Sequence, residues 1–168
     1  TTRPLKDLTK ESIFNIIAHS NKFNVKIENS NVLDLFAGVG SFGLECLSRG
    51  SSFLFFVENY KEVLPILKKN ISHLNYQNIS LIIEKNILDN LNFEVFKKKF
   101  DIIFIDPPYK EKNLTILISR IMESDILSKN GVIIIHRHKK EKNEFDKEFV
   151  ILEEKTYGIS KIIFGNYA

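Results

Sequence analysis

Residues 32–43, Val32-Leu33-Asp34-Leu35-Phe36-Ala37-Gly38-Val39-Gly40-Ser41-Phe42-Gly43, decide the fold. The first five form a short apolar run interrupted by one acid, the signature of a buried strand. Gly38, Gly40 and Gly43 then let the backbone approach a ligand closely and take angles that a side chain forbids. Strand, glycine turn and helix in that order open a βαβ unit. A glycine pattern of this kind suits a dinucleotide as readily as another nucleoside. Asp34 separates the possibilities: an acid just ahead of the turn crowds a pyrophosphate, but it suits a ligand with a cationic amino group and no phosphate, such as S-adenosylmethionine. On this reading Asp34, Phe36, Ala37, Gly38, Gly40 and Gly43 line the cofactor.

The flanking sequence repeats the same alternation. Ahead of the run, Leu8, Ile13, Ile16 and Ile17 recur at helical spacing between Asp7 and His19, which predicts a helix lying on the body of the domain. Beyond it, strands are expected at Phe53 to Val57, Ile79 to Ile83, Ile102 to Ile105 and Val132 to Ile135. Helices are expected at Lys61 to Leu74 and Leu114 to Met122. Pro65 predicts that the first of these starts late or kinks. The tail from Phe149 to Phe164 reads as two strands around Tyr157-Gly158, a hairpin at the sheet edge. Strands alternating with helices make an α/β fold with a mostly parallel sheet, here of seven strands, the last antiparallel. Lys139 to Lys147 carries mixed charge and is expected to be a solvated connection.

Three further sites carry chemistry. Glu58 ends the second strand, where a carboxylate accepts hydrogen bonds from ribose hydroxyls. Asn86, after the third strand, is placed to bond an adenine. Asp106-Pro107-Pro108-Tyr109 follows the fourth strand, and paired prolines fix the backbone so that the Asp106 carboxylate and the Pro107 carbonyl point together into the crevice. Two acceptors there hold the two hydrogens of an exocyclic amine, and Tyr109 offers a face for stacking a base.

Asp106-Pro107-Pro108-Tyr109 resembles the catalytic motif of amino methyltransferases acting on adenine N6 or guanine N2, and the glycine turn is similar to their cofactor motif. Arg3-Pro4, Asp7 and Lys10-Glu11-Ser12-Ile13-Phe14-Asn15 resemble the opening of the RsmD family, as do Gly43-Leu44-Glu45, Leu47-Ser48-Arg49-Gly50 and Tyr157-Gly158. The resemblance implies a Rossmann-like class I enzyme that moves a methyl group from S-adenosylmethionine to a guanine N2 of 16S ribosomal RNA. Asp106, Pro107, Pro108 and Tyr109 are then catalytic, Asp106 also borders the cofactor, and Arg3, Lys6, Lys10 and Arg137 are expected to meet RNA. It also implies a basic, strand-forming segment ahead of Arg3-Pro4. Departures from the pattern fall at Leu5, at Leu8-Thr9 and at Ile135-His136-Arg137-His138, where the family more often has a Glu after the fifth strand.

Composition is compatible with these readings. A chain of 168 residues, 43% hydrophobic, is long enough for one domain with a real core, and 27% charged residues with 14 Phe argue against disorder. Cys46 is the single cysteine, and no charged segment followed by an apolar stretch opens the sequence, so the cytoplasm is the expected compartment. A net charge of +3 allows a polyanionic partner without requiring one. Mostly Lys, the basic residues can neutralise phosphates but not read guanine edges bidentately. The expected partner is 16S RNA or an assembling small subunit, bound by a monomer, with no membrane and no metal. His136 and His138 share a strand face, but a pair without a third ligand makes a poor metal site, and a polar strand end near the crevice is expected instead. Cys46, between Leu44 and Leu47, is expected to pack rather than react. A DNA or RNA adenine-N6 methyltransferase would share the chemistry, but the DNA enzyme would need an inserted recognition region, for which little chain is available. A nucleotide-dependent oxidoreductase conflicts with Asp34. A ribosome-assembly binding module would not need Asp34, Glu58 and Asp106 together.

Overall fold

Side chains on successive strand residues point to opposite faces, so a strand that is apolar throughout must be covered on both sides. The computed structural model, which describes residues 7–87, 89, 92–108, 113–142 and 144–167, has this architecture. Its strands are β1 (Asn31–Asp34), β2 (Phe53–Val57), β3 (Ser80–Ile83), β4 (Phe100–Ile105), β5 (Leu127–His138), β6 (Phe149–Tyr157) and β7 (Ser160–Tyr167). The helices are α1 (Asp7–His19), α2 (Ser41–Ser48), α3 (Leu64–His73) and α4 (Leu114–Ser124), with single-turn 3-10 helices at Gln77–Ile79 and Phe93–Phe96. One seven-stranded sheet runs in the order β3-β2-β1-β4-β5-β7-β6. All neighbours pair in parallel except β7, which is antiparallel to both β5 and β6. The expected mostly parallel sheet with an antiparallel last strand is therefore the fold.

The two faces have separate cores. Val32, Phe56, Ile102, Phe104, Ile134 and Phe164 meet apolar residues of α1, α2 and α3, among them Ile13, Phe14, Phe42, Leu47 and Leu67. A ladder of rings joins these layers, with Phe42 stacked on Phe14 at 5.2 Å and on Phe104 at 4.0 Å between centroids. Leu33, Phe55, Ile103, Ile133 and Ile163 face the other way, onto α4 and the aromatic 3-10 helix Phe93–Phe96. Cys46 is fully buried in the first layer, where burial pushes its thiol up in pKa, so it packs as expected.

Element ends differ from expectation by a few residues, with identifiable causes. Pro65 sits in the first turn of α3, where its missing N–H has no intrahelical partner to lose, so the helix starts late and needs no kink. Strand β1 stops at Asp34, although Leu35 N–H still donates to Phe104 O at 3.0 Å before the chain turns. Strand β5 begins at Leu127 and runs 12 residues because a register shift opposite Phe100 carries the polar Ser128–Asn130 stretch along the sheet. No helix covers the β5–β6 connection among the described residues. Nor, among them, is any helix long and apolar enough to cross a membrane.

Candidate active site

Parallel strands bring their carboxyl ends to one edge, and the register places the acids there side by side. Asp34 pairs with Phe56 of β2 and with Phe104 of β4, so Glu58 and Asp106, each two residues further on, flank it. Ile105 pairs with Ile135, which makes His136 the neighbour of Asp106 on β5. The edge thus reads Glu58, Asp34, Asp106, His136 across four adjacent strands.

Asp34 is 1% exposed, and its Oδ1 has no hydrogen-bond partner within the protein. The Gly43 amide lies near the carboxyl group and favours its charged form. This amide is one of the orphan donors of the first turn of α2, a helix whose N-cap, Gly40, has no side chain to satisfy it. Burial raises the pKa of Asp34 well above the ordinary carboxylate range. Asp106 adds to the rise, the Gly43 amide opposes it, and Glu58 contributes a smaller increase. A buried, charge-crowded carboxyl group with an orphaned oxygen is suited to a cationic ligand.

Glu58 is 6% exposed and already engaged: Oε1 accepts from Gly38 N–H at 2.8 Å, while Oε2 accepts from Asn59 and Tyr60 N–H, each at 3.0 Å. A carboxylate has roughly four acceptor sites. Glu58 is therefore fixed in orientation, with about one acceptor site left over.

The glycines between these acids do different work. A Cβ on Gly38 would meet nothing within 4 Å, so the space above it is open, and its φ of 57° lies in the left-handed region. A Cβ on Gly43 would instead fall 2.4 Å from the Phe56 ring and 2.5 Å from Leu54, because α2 packs directly on β2. The turn is braced from outside: Asn70 of α3 donates to Val39 O at 2.9 Å, and Ala37 N–H donates to Val57 O at 3.1 Å. Phe36, beside it, packs partly buried on the α4 side of the sheet.

On β4, Asp106 Oδ1 lies 2.9 Å from His136 Nδ1, and His136 Nε2 lies 2.9 Å from Ser160 Oγ. Pro107 is buried and Pro108 half-buried behind Asp106. His138, two residues beyond His136, accepts from Lys140 N–H at 3.1 Å. Among the described residues no cluster of His, Cys, Asp and Glu could hold a metal ion.

The other expected site residues are less central. Asn86 is exposed, with Nδ2 donating to Asp89 at 3.0 Å. Lys10 forms a 3.7 Å ion pair with Glu45, and Arg137 is buried against Glu141 at 3.3 Å. Arg3, Lys6 and Tyr109 lie outside the described residues. His136 and Ser160 are what reading by residue type did not assign to the site. A detectable signal existed for His136, since it and Asp106 are each the first polar residue after the buried runs of two strands.

This sheet order, with acids at the ends of β1 and β2 beside a glycine turn, is that of the class I S-adenosylmethionine-dependent methyltransferases. The family model described as Conserved hypothetical protein 95 matches residues 1–166. The chain belongs to that family, the RsmD family. It is 35% identical over 153 residues to the ribosomal RNA small subunit methyltransferase D of Buchnera aphidicola from Acyrthosiphon pisum, covering 91% of this chain and 76% of that protein. With the enzyme of the same name from Haemophilus influenzae it shares 34% identity over 158 residues, 94% of this chain and 79% of that one. A solved conserved hypothetical protein of Streptococcus pyogenes superposes with a TM-score of 0.77 at 28% identity, covering 94% of each chain.

Proposed function

We infer that this chain methylates the exocyclic N2 of a guanine in 16S ribosomal RNA, with S-adenosylmethionine as donor, acting as a cytoplasmic monomer on the RNA or on an assembling small subunit. The observation that carries the reading is the orphaned, buried Asp34 carboxyl between Glu58 and Asp106. Its relatives' names supply the small-subunit RNA as substrate.

Asp34 would take the cofactor's ammonium group, Glu58 a ribose hydroxyl and Asn86 the adenine edge. Phe36, Ala37, Gly38 and Gly40 would lie along the cofactor where no side chain obstructs it. The bound sulfonium supplies an already reactive methyl group. What remains for the protein is alignment, because the guanine N2 lone pair is delocalised into the ring and the amine is a poor nucleophile. Asp106 and the Pro107 carbonyl would accept the amine's two hydrogens, draw the nitrogen toward tetrahedral geometry and stabilise the charge that develops on it. Pro108 holds the backbone of that acceptor pair, and Tyr109 would stack the base, offsetting part of the roughly few kcal/mol that unstacking it costs. Proton loss follows transfer. Arg3, Lys6, Lys10 and Arg137 are proposed phosphate contacts, Lys10 and Arg137 only after leaving their acidic partners.

The test is nucleoside analysis of 16S RNA from a strain lacking this protein. One N2-methylguanosine should disappear and return when the gene is restored, but not when Asp106→Ala is supplied. Disappearance of an N6-methyladenosine instead would transfer the assignment to adenine.

A further inference from the structure

Beside Asp106 stands a residue with no part in the reading above. His136 joins Asp106 through Nδ1 and Ser160 through Nε2, each at 2.9 Å, with its side chain 19% exposed. It bridges three strands: Asp106 at the end of β4, His136 on β5, and Ser160, buried, at the start of β7.

The chemistry of the pair sets the direction of the bonds. An ionised carboxylate only accepts, so the proton at the Asp106 contact belongs to His136 Nδ1. A neutral imidazole then has its lone pair on Nε2, which accepts from the Ser160 hydroxyl, whereas a protonated one donates to the same oxygen. Ser160 serves both states because a hydroxyl rotates. In either, Nδ1–H stays on Asp106 Oδ1, leaving Oδ2 as the carboxylate oxygen for a substrate.

Surrounding charge makes such a donor valuable. Asp34 acts on Asp106 from β1, with Glu58 beyond it on β2. On β5 itself Arg137 points to the other face and pairs with Glu141, and His138 is taken by the Lys140 amide. On β7 the Lys161 ammonium binds Glu141 O. Among the described residues His136 is thus the donor that reaches the Asp106 carboxylate. A donor fixed on Oδ1 keeps the carboxylate from rotating and so keeps Oδ2 aimed at the amine.

We propose that His136 is a positioning residue for methyl transfer, which holds the Asp106 carboxylate in one rotamer while Ser160 braces the imidazole from β7. The proposal rests on the methyltransferase reading. Its mark is rescue by shape: Asn at 136 puts an amide N–H where Nδ1–H was, whereas Gln puts one where Nε2 was.

Single-turnover transfer from S-adenosylmethionine to unmethylated 16S RNA should be about 10- to 100-fold slower in His136→Ala, the range for losing one hydrogen bond to a charged group. Dissociation constants for S-adenosylhomocysteine should stay within about twofold in every variant, which also reports folding. His136→Asn should recover to within roughly fivefold of wild type, and His136→Gln should remain near His136→Ala. Nitrogen-15 NMR of the wild-type imidazole should find Nδ1 protonated at every pH. Full activity in His136→Ala, rescue by Gln and not Asn, cofactor affinity falling with rate, or an Nε2–H tautomer would each overturn the proposal. Wild-type protein inert toward 16S RNA would instead overturn the function, and the imidazole spectrum would still decide whether His136 holds Asp106.

Discussion

Asp34 couples stability to ligand at the scale of one carboxyl group. Burial, Asp106 and Glu58 raise its pKa in the folded protein, whereas in the unfolded chain it titrates near the ordinary value. The native state therefore binds more protons above that value, and stability falls as pH rises from the unfolded pKa to the folded one. Asp34→Asn keeps an oxygen near the Gly43 amide and offers N–H to the neighbouring carboxylates. Thermal melts of the ligand-free protein should show Asp34→Asn more stable than wild type near neutral pH, by on the order of 1 kcal/mol or about 2–4 °C. The decline with pH should flatten in the same variant. Its affinity for S-adenosylmethionine should fall by about 1–3 kcal/mol, the typical loss for a charged hydrogen bond. A variant melting below wild type at neutral pH would show that this carboxyl group is not held against its charge.

The glycine turn and α2 act as an element, and its glycines separate binding from packing. Gly38 faces open space, so Gly38→Ala carries only the left-handed backbone penalty of about 1–2 kcal/mol but places a methyl group where the cofactor would lie. Gly43 faces Phe56 and Leu54 at contact distances no Cβ tolerates, so Gly43→Ala must push α2 off the sheet at about 1–3 kcal/mol. Isothermal titration and urea unfolding should therefore rank the two in opposite ways. Gly38→Ala should lose the larger share of cofactor affinity, and Gly43→Ala the larger share of stability. Equal effects on both measurements would mean that the turn does not divide its work in this way.

At the scale of the whole molecule, the site spans the ends of four strands that unfolding would scatter. A ligand held there by Asp34 and Glu58 binds only the folded chain. S-adenosylhomocysteine at about a hundred times its dissociation constant should add about 2.7 kcal/mol to stability. The corresponding rise in melting temperature is roughly 5–10 °C for a domain of this size. NAD should leave the transition where it is, since its pyrophosphate would face a row of acids. A rise with NAD equal to that with S-adenosylhomocysteine would contradict the assignment of Asp34.

The positions of the strands, though not their ends, the glycine turn and the Asp106-Pro107-Pro108 corner were legible from adjacent residues because they are local: apolar runs, left-handed backbone and fixed proline angles need no distant partner. Pro65 was legible in the same way, as a late helix start. The tertiary structure alone decided the neighbours. It set β1 between β2 and β4, which crowds Asp34 between two carboxylates, and tucked β7 between β5 and β6, which brings Ser160 to His136. It also turned Arg137, a candidate RNA contact by residue type, into a buried partner of Glu141. These outcomes depend on pairings between residues tens of positions apart, and a charged or polar side chain carries no local sign of which partner the sheet will bring to it.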